Sequence, residues 1–369
     1  MKKITKKLML PVLAAIATLG AQAQDSTRTF VVSGSADGYY RYNFNAPGGG
    51  ATNNLTSFTN SQNSFELGMA TLRADATADG GKISATADLG FGRREDEFSY
   101  ATASSSTTLN PVKQLYINYT PGKYITFTAG KWGTHIGYEV LDAYANRNYS
   151  MDYMFSYGPF SHTGVKAQYQ KGNLGIMLGV ANPTDNSTTM STVKTLIAQL
   201  SDSVGPFKAY LNYQGFFGAT SGTAFGSFSE GVKSMNQIDL VATTSFTSKF
   251  GLGLNGTYQT LSPSAGGSSI SWWGAAAYFN YDPSAKVGWT FRGEYLGNSD
   301  YALTALGKDM YDLTLSMNYR VGSNFTLIPE LRYDGSGVTS EGADGVFQKS
   351  DGTASSSTFS AIIAAVYKF

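Results

Sequence analysis

The chain has 369 residues, 42 of them glycine and none of them cysteine, with aromatic and charged residues at 14% each. Soluble domains average about 25% charged residues, so this composition suits sheets that are wet on one side and apolar on the other. The lack of cysteine excludes disulfides, thiolate metal sites, a cysteine nucleophile and a lipid-anchoring cysteine, and a net charge of +1 argues against nucleic-acid binding.

Residues 1–23 predict a secretory signal peptide. Four lysines in the first seven residues precede an apolar run from Leu8 to Leu19, and Ala21-Gln22-Ala23 fits the cleavage rule of small residues around one variable position. The apolar run is too short to span a membrane, so we expect export and removal. Loss of the four lysines brings the charge balance to about −3. Residues 24–369 are expected to form a single domain.

The remaining chain shows alternation of apolar and polar residues, and no helical period or apolar run of spanning length. In the clearest segment, from Tyr311 to Val321, the odd-numbered residues are apolar and the even-numbered ones are polar or charged. The segment before residue 202 alternates poorly, and another changes parity near Thr71, which predicts a bulge. Sixteen strands are predicted, with fourteen or eighteen as alternatives, at residues 29–44, 63–78, 82–94, 112–120, 124–133, 161–171, 173–182, 193–202, 207–217, 235–246, 249–260, 271–282, 286–297, 309–321, 324–334 and 358–369.

The connections between these segments alternate in length. Every second one is a tight turn built from Gly, Pro, Ser, Asp or Asn. The intervening loops are longer and rich in Ser, Thr, Asn and Gly. Short turns on one rim and long loops on the other are typical of a transmembrane β-barrel. The tight turns are predicted at residues 79–81, 121–123, 171–173, 203–206, 247–248, 283–285 and 322–323.

The last predicted strand has an apolar face that ends in aromatics. Phe359, Ile363, Tyr367 and Phe369 share one parity, and the chain stops on Phe369. The first strand is the simplest partner for its free edge, and this pairing would close a barrel without exposed edges. The ending also resembles the C-terminal signature of bacterial outer-membrane barrels. We therefore predict a closed antiparallel transmembrane β-barrel; a water-soluble sandwich that buries the apolar faces is the alternative.

The residues opposite the lipid-facing parity define the predicted lumen. Each charge taken alone is expected to pair across strands rather than to act on a solute, but together they require a wet interior. The candidates for the lumen lining are Asp37, Arg41, Asp88, Lys166, Lys208, Arg292, Glu294, Asp312, Arg320, Glu330 and Arg332. The candidates for the aromatic girdles at the membrane interfaces are Tyr119, Phe246, Tyr281, Phe325, Tyr367 and Phe369.

Four short motifs resemble the OmpL-like β-barrel porin-2 family of bacterial outer-membrane porins. They are DGYYRYNFN from Asp37, GKWGTHIGYE from Gly130, NYS from Asn148 and FSHTGV from Phe160. The resemblance extends over essentially the whole exported chain, and it implies an outer-membrane porin without naming a solute. It also implies that certain residues matter for the wall or for a loop, namely Asp37, Gly137, Glu139, Asn148 and His162.

The connection at residues 134–160 differs from the other long loops because it is rich in tyrosine and charge. It is the third external loop, and in general porins the third external loop folds into the lumen. If this loop does the same, Glu139, Asp142, Arg147 and Asp152 are the candidates for a charged constriction. A folded lid on the external rim is the alternative.

Enzymatic and metal sites find little support. A hydrolase triad would need His135 or His162 beside Ser150, Ser156 or Ser161, and nothing in the spacing favours that arrangement. The glycines at 251, 253 and 256 match a nucleotide-binding pattern, but they lie inside a predicted strand with no following helix. The acidic last loop could hold Ca²⁺, but a solvated loop is the simpler interpretation. We expect no enzyme activity, cofactor or metal.

The sequence therefore predicts a porin in the bacterial outer membrane that passes small hydrophilic solutes or ions by diffusion. The expected partners are outer-membrane lipid, the barrel-insertion machinery, which would engage the last strand, and two further copies in a possible homotrimer. No nucleic acid is expected. A plugged barrel that serves as a surface adhesin or a structural protein is the alternative, and an enzymatic barrel comes third.

Overall fold

Sixteen antiparallel strands form one closed barrel in the computed structural model. The structure describes residues 28–99, 109–189, 191–217, 232–263, 267–337 and 345–369, so the expected signal peptide at residues 1–23 lies outside the described residues. The barrel strands are β1 (Thr29–Asn43), β2 (Ser64–Ala78), β3 (Ile83–Phe91), β4 (Val112–Tyr119), β5 (Ile125–Gly133), β6 (Ser161–Lys171), β7 (Leu174–Ala181), β8 (Thr195–Val204), β9 (Phe207–Phe216), β10 (Val232–Ser245), β11 (Phe250–Pro263), β12 (Ile270–Tyr281), β13 (Val287–Gly297), β14 (Asp309–Val321), β15 (Phe325–Ser336) and β18 (Ser357–Lys368). A small hairpin in the last loop contributes β16 (Phe347–Gln348) and β17 (Ala354–Ser355).

The last strand closes the barrel, as the sequence predicted. β18 pairs with β15 on one side and with β1 on the other. Gly34 and Phe369 exchange two backbone hydrogen bonds of 3.1 and 3.0 Å. A Cβ added at Gly34 would lie 2.7 Å from the Phe369 ring, so the absence of a side chain at Gly34 leaves room for that ring.

The two faces of the strands differ in chemistry as alternation requires. Leu313, Leu315 and Ile363 are 46%, 42% and 52% exposed on the outer face, whereas Thr314 and Ser316 are fully buried on the inner face. A soluble sandwich would bury those three apolar side chains, so that alternative is wrong. The outer surface is apolar because lipid surrounds it, and the inner one is polar.

The predicted bulge in the second strand is present. The register between β1 and β2 changes from Ala36 opposite Ala70 to Gly38 opposite Leu67, so β2 carries one extra residue, at Gly68 or Met69. Past this point the other parity of β2 faces the interior.

The lengths of the connections also agree with the prediction. Tight turns join β2 to β3, β4 to β5, β6 to β7, β8 to β9, β10 to β11, β12 to β13 and β14 to β15. Most connections at the opposite rim are long. The start of β1 and the end of β18 lie on the short-turn rim, because Thr29 is opposite Thr77 and Phe325 is opposite Tyr367. This is the arrangement expected for a bacterial barrel with an even number of strands.

Two short helices belong to the long loops. α1 (Arg93–Phe98) follows β3, and α2 (Tyr153–Tyr157) lies in the third loop. The predicted end of the third strand at residue 94 is therefore wrong: β3 stops at Phe91 because Gly92 has a positive φ of 122°, which turns the chain into α1. In the described part of the chain, no helix has the length and apolar character needed to cross a membrane.

Candidate pore and the loop inside the barrel

The loop at residues 134–160 lies in the barrel interior. Four of its backbone amides donate to two carboxylates on the inner face of the wall. Tyr149 and Ser150 donate to Glu330 of β15 at 2.7 and 3.1 Å. The amides of residues 153 and 154, at the start of α2, donate to Glu294 of β13 at 2.7 and 2.8 Å. Each carboxylate therefore binds two adjacent amides and holds the loop against β13 and β15.

Two buried arginines of the wall bind the same stretch of the loop. Arg292 donates to Glu139 at 2.7 Å, to the Ser150 carbonyl at 2.8 Å and to Asp312 at 3.1 Å. Arg332 donates to the Met151 carbonyl at 2.6 Å. It also pairs with Asp334 at 2.7 Å. The loop is thus held by both signs of charge from the wall.

Asp152 begins α2 and joins the helix to the wall. Its carboxylate accepts from the Phe155 amide at 2.6 Å, which is the usual contact of an N-cap residue. It also accepts from the Tyr278 hydroxyl of β12 at 2.6 Å. The Asp152 amide donates to Glu139 at 2.8 Å. Glu139 and Asp152 therefore belong to one buried network rather than to a solvent-facing ring.

Burial determines the ionisation of this network. Burial raises the pKa of Glu139, the Asp152 carboxylate raises it further, and Arg292 opposes both effects. Burial likewise raises the pKa of Asp152. Arg292 is therefore the cation that compensates for several acidic neighbours in a space with little water.

The first two external loops support the third loop from the other side. Arg94 of α1 lies between the rings of Phe58 and Tyr149, with its guanidinium carbon 5.0 and 4.9 Å from the two ring centroids. It also donates to the carbonyls of Leu141 and Tyr149, both at 3.2 Å. Phe58, Phe155 and Arg94 are all nearly or fully buried. This packing fixes the face of the loop that does not touch the wall.

The loop crosses the interior and also reaches other strands. The Gly137 amide donates to Asp239 of β10 at 3.0 Å, and the Tyr138 amide donates to Asn255 of β11 at 3.1 Å. On the near side, Lys113 of β4 donates to Asp142 at 2.7 Å. Lys113 also lies 3.0 Å from Asp88 of β3. The loop thus contacts strands on opposite sides of the barrel.

Two groups of side chains on the inner wall differ in exposure. Eight inward side chains of β12–β15 are at most 4% exposed, and we call them the packed wall: Tyr278, Arg292, Glu294, Asp312, Thr314, Ser316, Glu330 and Arg332. Eight inward side chains of β4–β9 remain partly exposed, and we call them the open wall: Tyr116, Asn118, Thr126, Lys166, Gln168, Gln199, Ser201 and Tyr210. Other inward side chains of the same strands are buried, among them Thr128, Met177, Ile197, Asn212 and Gln214. The open wall therefore borders interior space that the loop does not fill.

Two cavities lie beside the loop. One of about 290 Å³ is lined by loop residues Glu139 to Asp142 and by Lys113 and Gln114 of β4. The other, of about 200 Å³, lies at the short-turn rim beside Arg147 and Arg320. Both arginines pair with Asp282 there, at 3.0 and 2.9 Å.

Two of the four predicted constriction residues are buried, and the other two are more accessible. Glu139 and Asp152 are 4% and 1% exposed and bond to each other. Asp142 and Arg147 are more accessible, but they lie against different strands, beside Lys113 and Asp282 respectively. The structure therefore does not bring the four side chains together.

The predicted lumen residues lie mostly under the loops. Seven are buried, namely Arg41, Asp88, Arg292, Glu294, Asp312, Glu330 and Arg332. Asp37, Lys166 and Arg320 are half-buried, and Lys208 is exposed beside a turn. Asp37 accepts from the Tyr149 hydroxyl at 2.6 Å. Of the predicted interface aromatics, Phe325 is half-buried and the others are exposed on the outer face or at its edge: Tyr119, Phe246, Tyr281, Tyr367 and Phe369.

Sequence reasoning missed three residues that hold the loop. Lys113 lies in a predicted strand but was not among the candidates. A register shift between Asp88 and Leu89 makes it an extra residue that turns inward. Arg94 was placed at the end of a strand. Asp282 was assigned to the end of a strand next to a turn, and its pairing with Arg147 was not predicted.

The histidines and the acidic last loop complete the set of candidates. Within the described ranges, neither histidine hydrogen-bonds to Ser150, Ser156 or Ser161: His162 bonds to Thr134 at 3.2 Å, and His135 to the Tyr213 carbonyl at 3.2 Å. The calcium interpretation involves Asp334, Glu341, Asp344 and Asp351. Glu341 and Asp344 lie outside the described residues, and Asp334 pairs with Arg332.

Comparison with known proteins identifies one sequence family and several solved structures with a similar fold. The sequence profile of the family described as putative beta-barrel porin-2, OmpL-like, matches residues 29–369. No curated protein matches the sequence. The fold is similar to the outer-membrane channel DcaP of Acinetobacter baumannii (TM-score 0.61, 12% identity, 94% of this chain and 98% of that one). It is also similar to an anion-selective porin from Comamonas acidovorans (0.59, 13%, 93% and 100%) and to OmpT of Vibrio cholerae in a trimer form (0.56, 13%, 93% and 100%). At such identities the structures show the fold alone.

Proposed function

This chain belongs to the family described as putative beta-barrel porin-2, OmpL-like, and we propose that small hydrophilic solutes diffuse passively along the open wall of its barrel. Membership of this family makes the chain an integral porin of the outer membrane. Family membership also indicates a channel rather than an enzyme. We further propose where in the barrel solutes pass and where their path is narrowest.

The contrast between the two walls carries this proposal. Arg292 and Asp312 of the packed wall are completely buried under the loop, whereas Asn118, Lys166 and Gln199 of the open wall keep part of their surface exposed. Charged and amide side chains in the middle of a membrane protein are stable when they meet water. A continuous column of water beside β4–β9 accounts for their presence there.

The narrowest point is proposed to lie between the loop and strands β2–β4. Val140 is 44% exposed and borders the same cavity as Asp142 and Gln114. Arg73, about one-third exposed, lies on the facing wall and pairs with Asp75 at 2.7 Å. In this proposal Glu139 and Asp152 position the loop, and Val140 and Asp142 face the solute.

Planar-bilayer recording of the purified protein tests the diffusion path. We expect discrete conductance steps that scale with salt concentration, because ions would cross a water-filled lumen. Insertion that is electrically silent would favour the plugged barrel, in which loop 134–160 leaves no continuous path. If the protein conducts, swelling of vesicles in sugars of increasing size would give the width of the path.

The outer face of β2 and β3 is the proposed contact between three copies. One structural neighbour is described as a trimer form. Small outward side chains allow two barrels to approach closely, and these strands carry Ala70, Ala74, Ala76, Ala85 and Ala87 on that face.

Light scattering in detergent tests this contact. Wild-type protein is expected to have the mass of a trimer, and Ala87→Arg that of a monomer, because a charge at the contact would be left unpaired. Ala275→Arg is the matched control, since it places the same charge on the outer face of β12, on the far side of the barrel. Equal masses for the two variants would rule out the face of β2 and β3.

A further inference from the structure

Lys166 is a cation in the middle of β6 whose side chain faces the interior. Its register partners are Thr128 of β5 and Gly179 of β7, about halfway between the two rims. The side chain is half-buried. No described carboxylate lies within ion-pair distance of its ammonium group.

Nine other buried or half-buried cations in the interior of the described chain have acceptors. Arg73, Lys113, Arg147, Arg292, Arg320 and Arg332 form ion pairs with aspartate or glutamate. Arg41, Arg94 and Lys131 donate to backbone carbonyls. Lys166 departs from this pattern, although it lies deep in the barrel, where an uncompensated charge is costly.

Trp132 accompanies Lys166 with a second unused donor. The Lys166 nitrogen lies 4.6 Å from the centroid of the Trp132 ring. That contact is attractive, but it leaves the positive charge in place. The indole N–H of Trp132 is buried and has no acceptor among the described residues, and the whole residue is only 4% exposed. An indole N–H and an ammonium group can only donate.

The two histidines nearby supply no compensating charge. Burial lowers the pKa of His135 to about 4, so its ring is neutral at pH 7. Its Nε2 donates to the Tyr213 carbonyl, which can only accept. His162, the register partner of Trp132, leaves its Nδ1 without a partner among the described residues. The histidines therefore leave the charge of Lys166 uncompensated.

We propose that Lys166, which lies over the Trp132 ring, forms a binding step for small anions on the open wall. The ligand class is a monovalent anion, a halide or a carboxylate, that can accept from the Lys166 ammonium group in the lumen. The step rests on the proposed diffusion path, and it gives that path a preference for anions over cations of similar size.

Reversal potentials in a potassium chloride gradient test this inference. Lys166→Gln is expected to lower the ratio of chloride to potassium permeability about tenfold. One unit charge about 6 Å from an ion in water-like surroundings changes the local concentration of each ion about threefold, in opposite directions for the two ions. Lys166→Arg should keep the wild-type ratio. Lys249→Gln, at the exposed turn before β11, removes the same charge away from the lumen and should not change it. An unchanged ratio in Lys166→Gln would overturn the inference while leaving the channel intact.

A second measurement does not depend on conduction. The fluorescence of Trp132 is obtained as the difference between a protein with Trp132 and the same protein with Trp132→Phe. Iodide should quench this fluorescence more strongly when residue 166 is Lys than in a Lys166→Gln background. Acrylamide, which is neutral, should quench both backgrounds equally. If wild type forms no channels but iodide quenching still depends on Lys166, the diffusion path fails and the anion step stands. Quenching that is independent of Lys166 sinks the anion step.

Discussion

Replacing Arg292 with alanine is expected to lower the free energy of unfolding by about 3–5 kcal/mol, the usual cost of removing one partner from a buried ion pair. Arg292 is completely buried and binds Glu139, Asp312 and the carbonyl of residue 150. Its loss leaves the buried Glu139 without its cation and leaves Asp312 with Arg332, at 3.6 Å. Unfolding in urea, with the protein in lipid vesicles, measures the change.

The loss should be larger at pH 8 than at pH 5. Without Arg292 the pKa of Glu139 rises further above its unfolded value of about 4.3. A carboxyl whose pKa is raised in the folded state contributes its full stability below the unfolded pKa and loses it as the pH rises through the folded pKa. A deficit that grows in acid would contradict the assignment of Glu139 as the partner.

Arg320→Ala is the matched control for this variant. Arg320 also faces inward from a strand and pairs with an aspartate, Asp282, at 2.9 Å. Its side chain is 32% exposed, so water screens the pair and the expected cost is at most about 1 kcal/mol. If the two variants lose equal stability, the packed wall does not hold the loop in the way described.

The barrel itself could be predicted from sequence because lipid imposes a strict rule on each strand. Every outward residue between Tyr311 and Val321 had to be apolar, and every backbone group had to find a partner within a closed sheet. Short turns such as the one at residues 121–123 then fixed the order of neighbours. These constraints are local, so a pass along the chain finds them.

The loop interior obeys no such rule. Glu139 and Asp142 are three residues apart and both carry a carboxyl group, but the first is buried against Arg292 and the second lies at a cavity beside Lys113. That difference depends on wall residues more than 100 positions away in one case and on a bulge at Lys113 in the other. Neither leaves a periodic signal, so sequence reasoning grouped Glu139, Asp142, Arg147 and Asp152 as one ring.

The second prediction with a large effect concerns the exposed face of the loop. The chain has no cysteine, so Val140→Cys would give the protein a single reactive thiol. Val140 is 44% exposed beside the cavity at β4. A charged thiosulfonate reagent added to the bilayer chamber is expected to remove most of the single-channel conductance, because the attached group would occupy the narrowest part of the path.

Met151→Cys supplies the control on the same loop. Met151 is completely buried between Arg94 and the packed wall, so the reagent should not reach it and the conductance should stay constant. Adding Arg292→Ala to that variant should make the thiol reactive, since the loop then loses the cation that binds it to the wall. Reaction at residue 151 without that second change, or no block at residue 140, would show that solutes pass on the other side of the loop.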